Sequence, residues 1–168
     1  MNRFDLTGKV ALVTGGSRGI GAGISLALAE AGADLAILFR SRREEAESLA
    51  AKLRELGRRC ELLQYDLSDL DGLGGVVTEV VDKLGRLDVL VNNAGIAHLL
   101  RFDKVDRDVM DLTFRVNTFA PFFLAQQAAR HMIERGEGGR IINIGSTNGI
   151  VAEALLAPYN ASKGALEL

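Results

Sequence analysis

Tyr159 and Lys163 stand four residues apart in the segment Tyr159-Asn160-Ala161-Ser162-Lys163. On a helix that spacing puts both side chains on one face, one turn apart. A free phenol titrates near about 10, and an ammonium close by favours the phenolate. Such a phenol can give a proton to a carbonyl oxygen or take one from an alcohol. The same spacing also arises in plain surface pairs, so the pair does not decide the chemistry alone. Ser146 follows directly on an apolar run (Ile144-Gly145-Ser146), where its hydroxyl could hydrogen-bond a substrate oxygen and polarise it. Asn117, in Val116-Asn117-Thr118, could hold a water for a proton relay, or only bend a helix.

A second group of residues reads as an anion cradle. Thr14-Gly15-Gly16-Ser17-Arg18-Gly19-Ile20-Gly21 comes immediately after an apolar run and opens an amphipathic stretch. Gly15, Gly19 and Gly21 leave a turn without obstructing side chains, so backbone amides, with Ser17, Arg18 and Ile20 among them, can approach a pyrophosphate at a helix N-terminus. A glycine trio can also merely pack a helix on a strand; its place between strand and helix favours the nucleotide. The second apolar run ends Leu38-Phe39-Arg40-Ser41-Arg42-Arg43, with no acid between Asp34 and Glu44 to bond a ribose 2′-hydroxyl. Arg18 and Arg40, with the Ser41 hydroxyl, could instead converge on a 2′-phosphate, which points to NADP rather than NAD. Arg42 and Arg43 read as the solvated start of a helix. Asp66, followed by Leu67, is placed to accept a bond from an adenine amino group, or to cap the next helix. In Asn92-Asn93-Ala94-Gly95, Asn92, Ala94 and Gly95 are candidate cofactor neighbours, while asparagines at a strand end also serve as structural bridges.

Positioning these groups requires a particular alternation. Strands are expected over residues 9–14, 34–39, 60–65, 87–91 and 140–145, each nearly all apolar. Helices are expected over residues 18–31, 42–56 and 70–84, each closed by a glycine. A long one lies within 108–135, interrupted or re-aimed near Pro121, and another starts at Pro158. Apolar strands alternating with amphipathic helices imply a doubly wound α/β fold: one domain, residues 1–168, with a parallel sheet between two helical layers. Ligands in such sheets bind at the carboxyl ends of the strands, where all the residues above fall.

Composition narrows the remaining classes. The 168 residues are 48% hydrophobic and 25% charged, with a net charge of −2, which argues against nucleic-acid binding through bulk charge. The single cysteine, Cys60, excludes an internal disulfide and fits a reducing, cytoplasmic compartment; its apolar surroundings read as a buried strand. Neither a secretory signal nor an 18-residue apolar span appears, so no membrane partner is expected. His98 and His131 are far apart in the chain and suggest no metal site; His98, just after Gly95, could edge the active site but reads better as a plain loop residue, and His131 as complementing a helix dipole.

Taken in order, TGGSRGIG at 14–21, DLSD at 66–69, NNAG at 92–95, VN at 116–117, IGS at 144–146 and YNASK at 159–163 resemble the short-chain dehydrogenase/reductase family. The resemblance implies a Rossmann-like fold and NAD(P)-linked conversion between a small carbonyl compound and a secondary alcohol. It assigns proton transfer to Tyr159, phenol activation and ribose contact to Lys163, substrate orientation to Ser146 and the relay to Asn117. It also implies a homo-oligomer, dimer or tetramer, built through the long helix and the YNASK helix. Arg18 and Arg40 look like the NADP-preferring members, and the whole is similar to 3-oxoacyl-carrier-protein reductases. Family members continue past this helix with further strands and a substrate-covering loop. The stop at Leu168 is therefore expected to leave residues 141–144 as a sheet edge and the substrate pocket incomplete, as in a fragment, a non-catalytic cofactor-binding protein, or a chain completed by a partner.

Overall fold

The computed structural model describes residues 4–168. Five parallel strands form one sheet: β1 (Val10–Thr14), β2 (Asp34–Phe39), β3 (Cys60–Gln64), β4 (Val89–Asn92) and β5 (Arg140–Asn143), in the order β3-β2-β1-β4-β5. The order reverses between β1 and β4, where Ala11 pairs with Val89 and Val13 with Val91. Helices are α1 (Gly19–Glu30), α2 (Arg43–Glu55), α3 (Val76–Leu84), α4 (Arg107–Phe114), α5 (Ala120–Arg135) and α6 (Ala157–Glu167). None of the described helices is long and apolar enough to cross a membrane.

β1, β2 and β4 are apolar because both faces are covered. Leu12, Leu38 and Leu90 point into one layer with Val80 of α3 and Leu124 and Ala128 of α5. Val13, Ile37 and Val91 point into the other with Ala29 of α1 and Leu49 and Leu53 of α2. Burying each such Leu, Ile or Val contributes about 1.5–3 kcal/mol. Cys60 lies in the second layer, and burial pushes its thiol up to about 11, which fits a packing residue rather than a nucleophile.

Three expectations need adjustment. The third helix begins at Val76 rather than residue 70, because Gly72, Gly74 and Gly75 hold only a tight 3₁₀ turn before it. The long helix is re-aimed just before Pro121 rather than ended there: α4 and α5 run on through a π-helical turn at Arg115–Phe119, and Pro121 sits in the first turn of α5. The π turn absorbs the missing proline N–H without ending the helix. His131 Nε2 accepts a hydrogen bond from the Leu87 amide at 3.3 Å, so it ties α5 to the entrance of β4.

β5 is the outer strand, paired on one side only with β4, and Ile141 and Ile142 are 38% and 44% exposed. At the amino ends of β1, β4 and β5, Asp88 gathers charge. It receives Arg86 Nε at 2.8 Å, Arg135 Nη2 at 2.9 Å and the Val10 amide at 3.0 Å. Burial acts to raise the Asp88 carboxyl, but these donors overcome it and hold it below the usual carboxylate range.

Candidate active site

At the carboxyl ends of β1, β2 and β4 a cleft of about 390 Å³ opens where the strand order reverses. Its floor is the turn from β1 into α1. Gly15 and Gly19 adopt φ of +61° and +53°, a left-handed conformation that other residues take only with strain. Gly21 lies against the turn so closely that a methyl group there would meet the Gly15 carbonyl oxygen. No side chain caps the first turn of α1, and Ser17, Arg18, Gly19, Ile20 and Gly21 all line the cleft. Uncapped amides at a helix N-terminus beside side-chain-free backbone make a fitting cradle for a diphosphate.

The turn is held from β4. Thr14 Oγ1 accepts the amides of Asn93 and Ala94 at 3.0 and 3.1 Å, and Asn93 Nδ2 donates to the carbonyls of Thr14 and Gly15 at 3.0 and 3.2 Å. Ala94 and Gly95 line the cleft, and so does Asn93. Asn92 does not: it is buried beneath, donating to the Pro121 carbonyl at 3.2 Å and to Asn143 at 2.9 Å, as a bridge from β4 to α5 and β5. The two adjacent asparagines differ because successive strand residues point opposite ways.

Arg40, Ser41, Asp66 and Leu67 line the far wall with Phe39 and Tyr65. Asp66 Oδ1 accepts the Ser68 amide at 2.9 Å and the Ser68 hydroxyl at 2.8 Å, which leaves Oδ2 for a ligand. The Ser68 amide bond, then the Ser68 hydroxyl and the nearby Arg40 charge, outweigh burial and lower this carboxyl. Arg42 pairs with Glu45 of α2 at 2.9 Å, and Arg43 donates to Gln64 of β3 at 3.0 Å. Arg18 and Arg40 are exposed at the cleft.

Beyond Gly95 lie the groups suited to proton transfer. A Cβ on Gly95 would come within 3.5 Å of Asn117 Oδ1 and 3.9 Å of Lys163 Nζ. Lys163 is 4% exposed; its ammonium donates to the Ile144 carbonyl at 2.6 Å and stands 5.9 Å from the centroid of the Tyr159 ring. Burial lowers the Lys163 ammonium, and the Glu167 carboxylate partly offsets this. Ser146, just past β5, offers its hydroxyl to Asn148 Oδ1 at 3.2 Å.

Asn117 sits in the π turn, fully buried, and its side chain is committed. Oδ1 accepts the Ile96 amide at 2.9 Å, while Nδ2 donates to the Ile96 carbonyl at 2.9 Å and Ser162 Oγ at 3.0 Å. Its main-chain carbonyl stands four positions before Pro121, which has no N–H to bond it in the ordinary helical register. Thr14, Asn93 and Ser162 hold these groups in place, and residue type and spacing alone assign none of them a role of its own. Each lies inside one of the quoted motifs, TGGSRGIG, NNAG and YNASK, which is the available signal.

A doubly wound sheet with a glycine cradle, and a phenol, ammonium and hydroxyl past its rim, defines a class of nucleotide-binding fold. Residues 9–168 match the family model for short chain dehydrogenase, and the chain belongs to that family. It is 38% identical over 170 residues to versicolorin reductase stcU of Emericella nidulans, covering 99% of this chain and 62% of that protein. A short chain dehydrogenase of Burkholderia cenocepacia solved in complex with NADP superposes with a TM-score of 0.91 at 45% identity, over 96% of this chain and 65% of that one. A xylitol dehydrogenase with NAD⁺ bound superposes with a TM-score of 0.88 at 33% identity, over 95% of this chain and 61% of that one. The chain therefore spans somewhat under two thirds of the length of these relatives.

Proposed function

We propose that this protein is an NADP-dependent oxidoreductase that interconverts a small carbonyl compound and a secondary alcohol. The observation that carries this is the meeting of two half-sites at Gly95. The cleft with its glycine cradle ends there, and the Lys163 ammonium, 5.9 Å from the Tyr159 ring, begins there. A bound nicotinamide ring supplies or accepts hydride. The chain's own groups handle the proton and the oxygen. In the reductive direction Tyr159 gives its hydroxyl proton to the carbonyl oxygen, and Ser146 donates a hydrogen bond to the same oxygen. Lys163, anchored on the Ile144 carbonyl, stabilises the phenolate left behind and can contact a ribose. The Asn117 carbonyl is suited to hold a water through which Tyr159 is reprotonated.

Arg18 and Arg40, with Ser41, support a 2′-phosphate at the adenosine end, and no acid stands at the tip of β2 to bond a 2′-hydroxyl. Phe119, Phe122 and Phe123 are 41%, 63% and 39% exposed around the start of α5, which supports a homo-oligomer formed there. The single buried thiol fits the cytoplasm.

The test is a fluorescence titration with NADPH followed by a panel of ketones and aldehydes. Turnover that falls at least about 100-fold in Tyr159→Phe, with NADPH binding retained, is the expected result. Undiminished turnover in that variant removes Tyr159 from the chemistry. Binding without consumption by the wild-type protein points to a cofactor-binding protein without turnover.

A further inference from the structure

The loop between β5 and α6 carries a polar relay that the reading above does not use. Ser146 Oγ donates to Asn148 Oδ1 and accepts the Asn148 main-chain amide, both at 3.2 Å. Asn148 Nδ2 donates onward to Asn160 Oδ1 at 2.9 Å and to Glu153 Oε2 at 3.2 Å. Asn160 Nδ2 returns to the Glu153 carbonyl at 2.8 Å. Every polar atom of the Asn148 side chain is thereby used, and Asn160 is the residue next to Tyr159.

The geometry points to Asn148 as a positioning residue that orients the Ser146 hydroxyl and, through Asn160, couples it to the start of the Tyr159 helix; this rests on the proposed function. The physical argument is one of directions. A serine hydroxyl has one proton and rotates freely. Here Asn148 Oδ1 holds that proton until a substrate oxygen takes it, and the Asn148 main-chain amide fixes the serine oxygen throughout, so the proton can turn to substrate without the oxygen moving. An amide side chain presents its acceptor and donors at fixed angles, so fixing Nδ2 on α6 fixes Oδ1 toward Ser146. Ser146 and Tyr159 come from different elements; α6 also holds the Ser146 backbone through Glu167 Oε1 on the Ser146 amide at 3.3 Å and Lys163 on the Ile144 carbonyl, and Asn148 is the side chain that reaches the Ser146 hydroxyl itself. Glu153 holds the other Nδ2 hydrogen and keeps the amide from flipping.

The test combines turnover with hydrogen exchange on the full chain. In Asn148→Ala, kcat on the best carbonyl substrate is expected to fall about tenfold with the KM for NADPH unchanged. Ser146→Ala followed over hours provides the reference. If Asn148 acts through Ser146, the double variant is no slower than Ser146→Ala alone. Amide exchange over residues 146–160 should quicken in Asn148→Ala while the sheet is unaffected. Unchanged kcat, unchanged exchange, or a double variant slower by the product of the two single effects overturns the positioning role; the last outcome leaves Asn148 as ordinary loop packing. Absence of wild-type turnover on the carbonyl panel overturns the functional reading itself and the positioning role with it. That result is distinct from an active wild type whose Asn148→Ala variant is equally active.

Discussion

Two glycines of α1, two residues apart, should respond in opposite directions to the same added methyl group. At Gly21 a Cβ would meet the Gly15 carbonyl oxygen and lie 2.6 Å from Asn93 Nδ2 and 2.9 Å from the Gly15 carbonyl carbon. None of these can yield cheaply. Gly15 is locked at φ +61°, and Asn93 is held on the carbonyls of Thr14 and Gly15. Gly21→Ala must therefore push α1 off the turn, and overpacking of this kind costs about 1–3 kcal/mol. At Gly23 a Cβ meets nothing within 4 Å. Gly23→Ala should gain the helix preference of alanine over glycine, about 1 kcal/mol. The two variants should thus differ by roughly 2–4 kcal/mol. For a chain of this size each kcal/mol shifts Tm by about 2–4 °C. Thermal melts should show Gly21→Ala below the wild type and Gly23→Ala at or above it. An NADPH titration should show at least a roughly tenfold loss for Gly21→Ala, because its displaced helix carries the first-turn amides away from the cradle. A Gly21→Ala variant as stable as the wild type, with unaltered NADPH affinity, would refute this account of the turn.

Two further predictions concern charge. Arg40→Ala should weaken NADPH by about tenfold or more, since a hydrogen bond to a charged group contributes about 1.5–3 kcal/mol, and leave NADH affinity unchanged; equal loss for both would show that Arg40 does not read the 2′-phosphate. The Asp88 carboxyl is held below its ordinary value, so its contribution to stability is present above the unfolded value, about 3.9, and disappears as pH falls through the lower folded value. Unfolding free energies of wild type and Asp88→Asn from urea titrations should therefore differ most at neutral pH, by roughly 3 kcal/mol, and converge in acid. A gap that persists in acid would mean that the loss at Asp88 is one of packing. Asp88 lies at the sheet end away from the cleft, so NADPH affinity should not change.

Much of this site is legible in the chain itself because it depends on local spacing. The left-handed turns at Gly15 and Gly19, the placement of Tyr159 and Lys163 one turn apart, and the two-sided burial of β1 and β2 follow from residue type and period. So does the absence of an acid at the tip of β2. The parts that remained hidden depend on which distant segments meet. That Asn93 rather than Asn92 lines the cleft is decided by the pairing of β4 with β1 and β5. That Asn117 spends its side chain on Ile96 and Ser162 is decided by the docking of α6 on the π turn. The Asp88 cluster and the Asn148 relay each join residues from several elements, and no local pattern marks them. Period and turn chemistry act within a few residues, so the chain alone could specify strands, helices and the cradle. Hydrogen-bond partners for buried amides and carboxylates are found only after the sheet is assembled, because desolvation makes each such group take whatever partner the packed fold brings within reach.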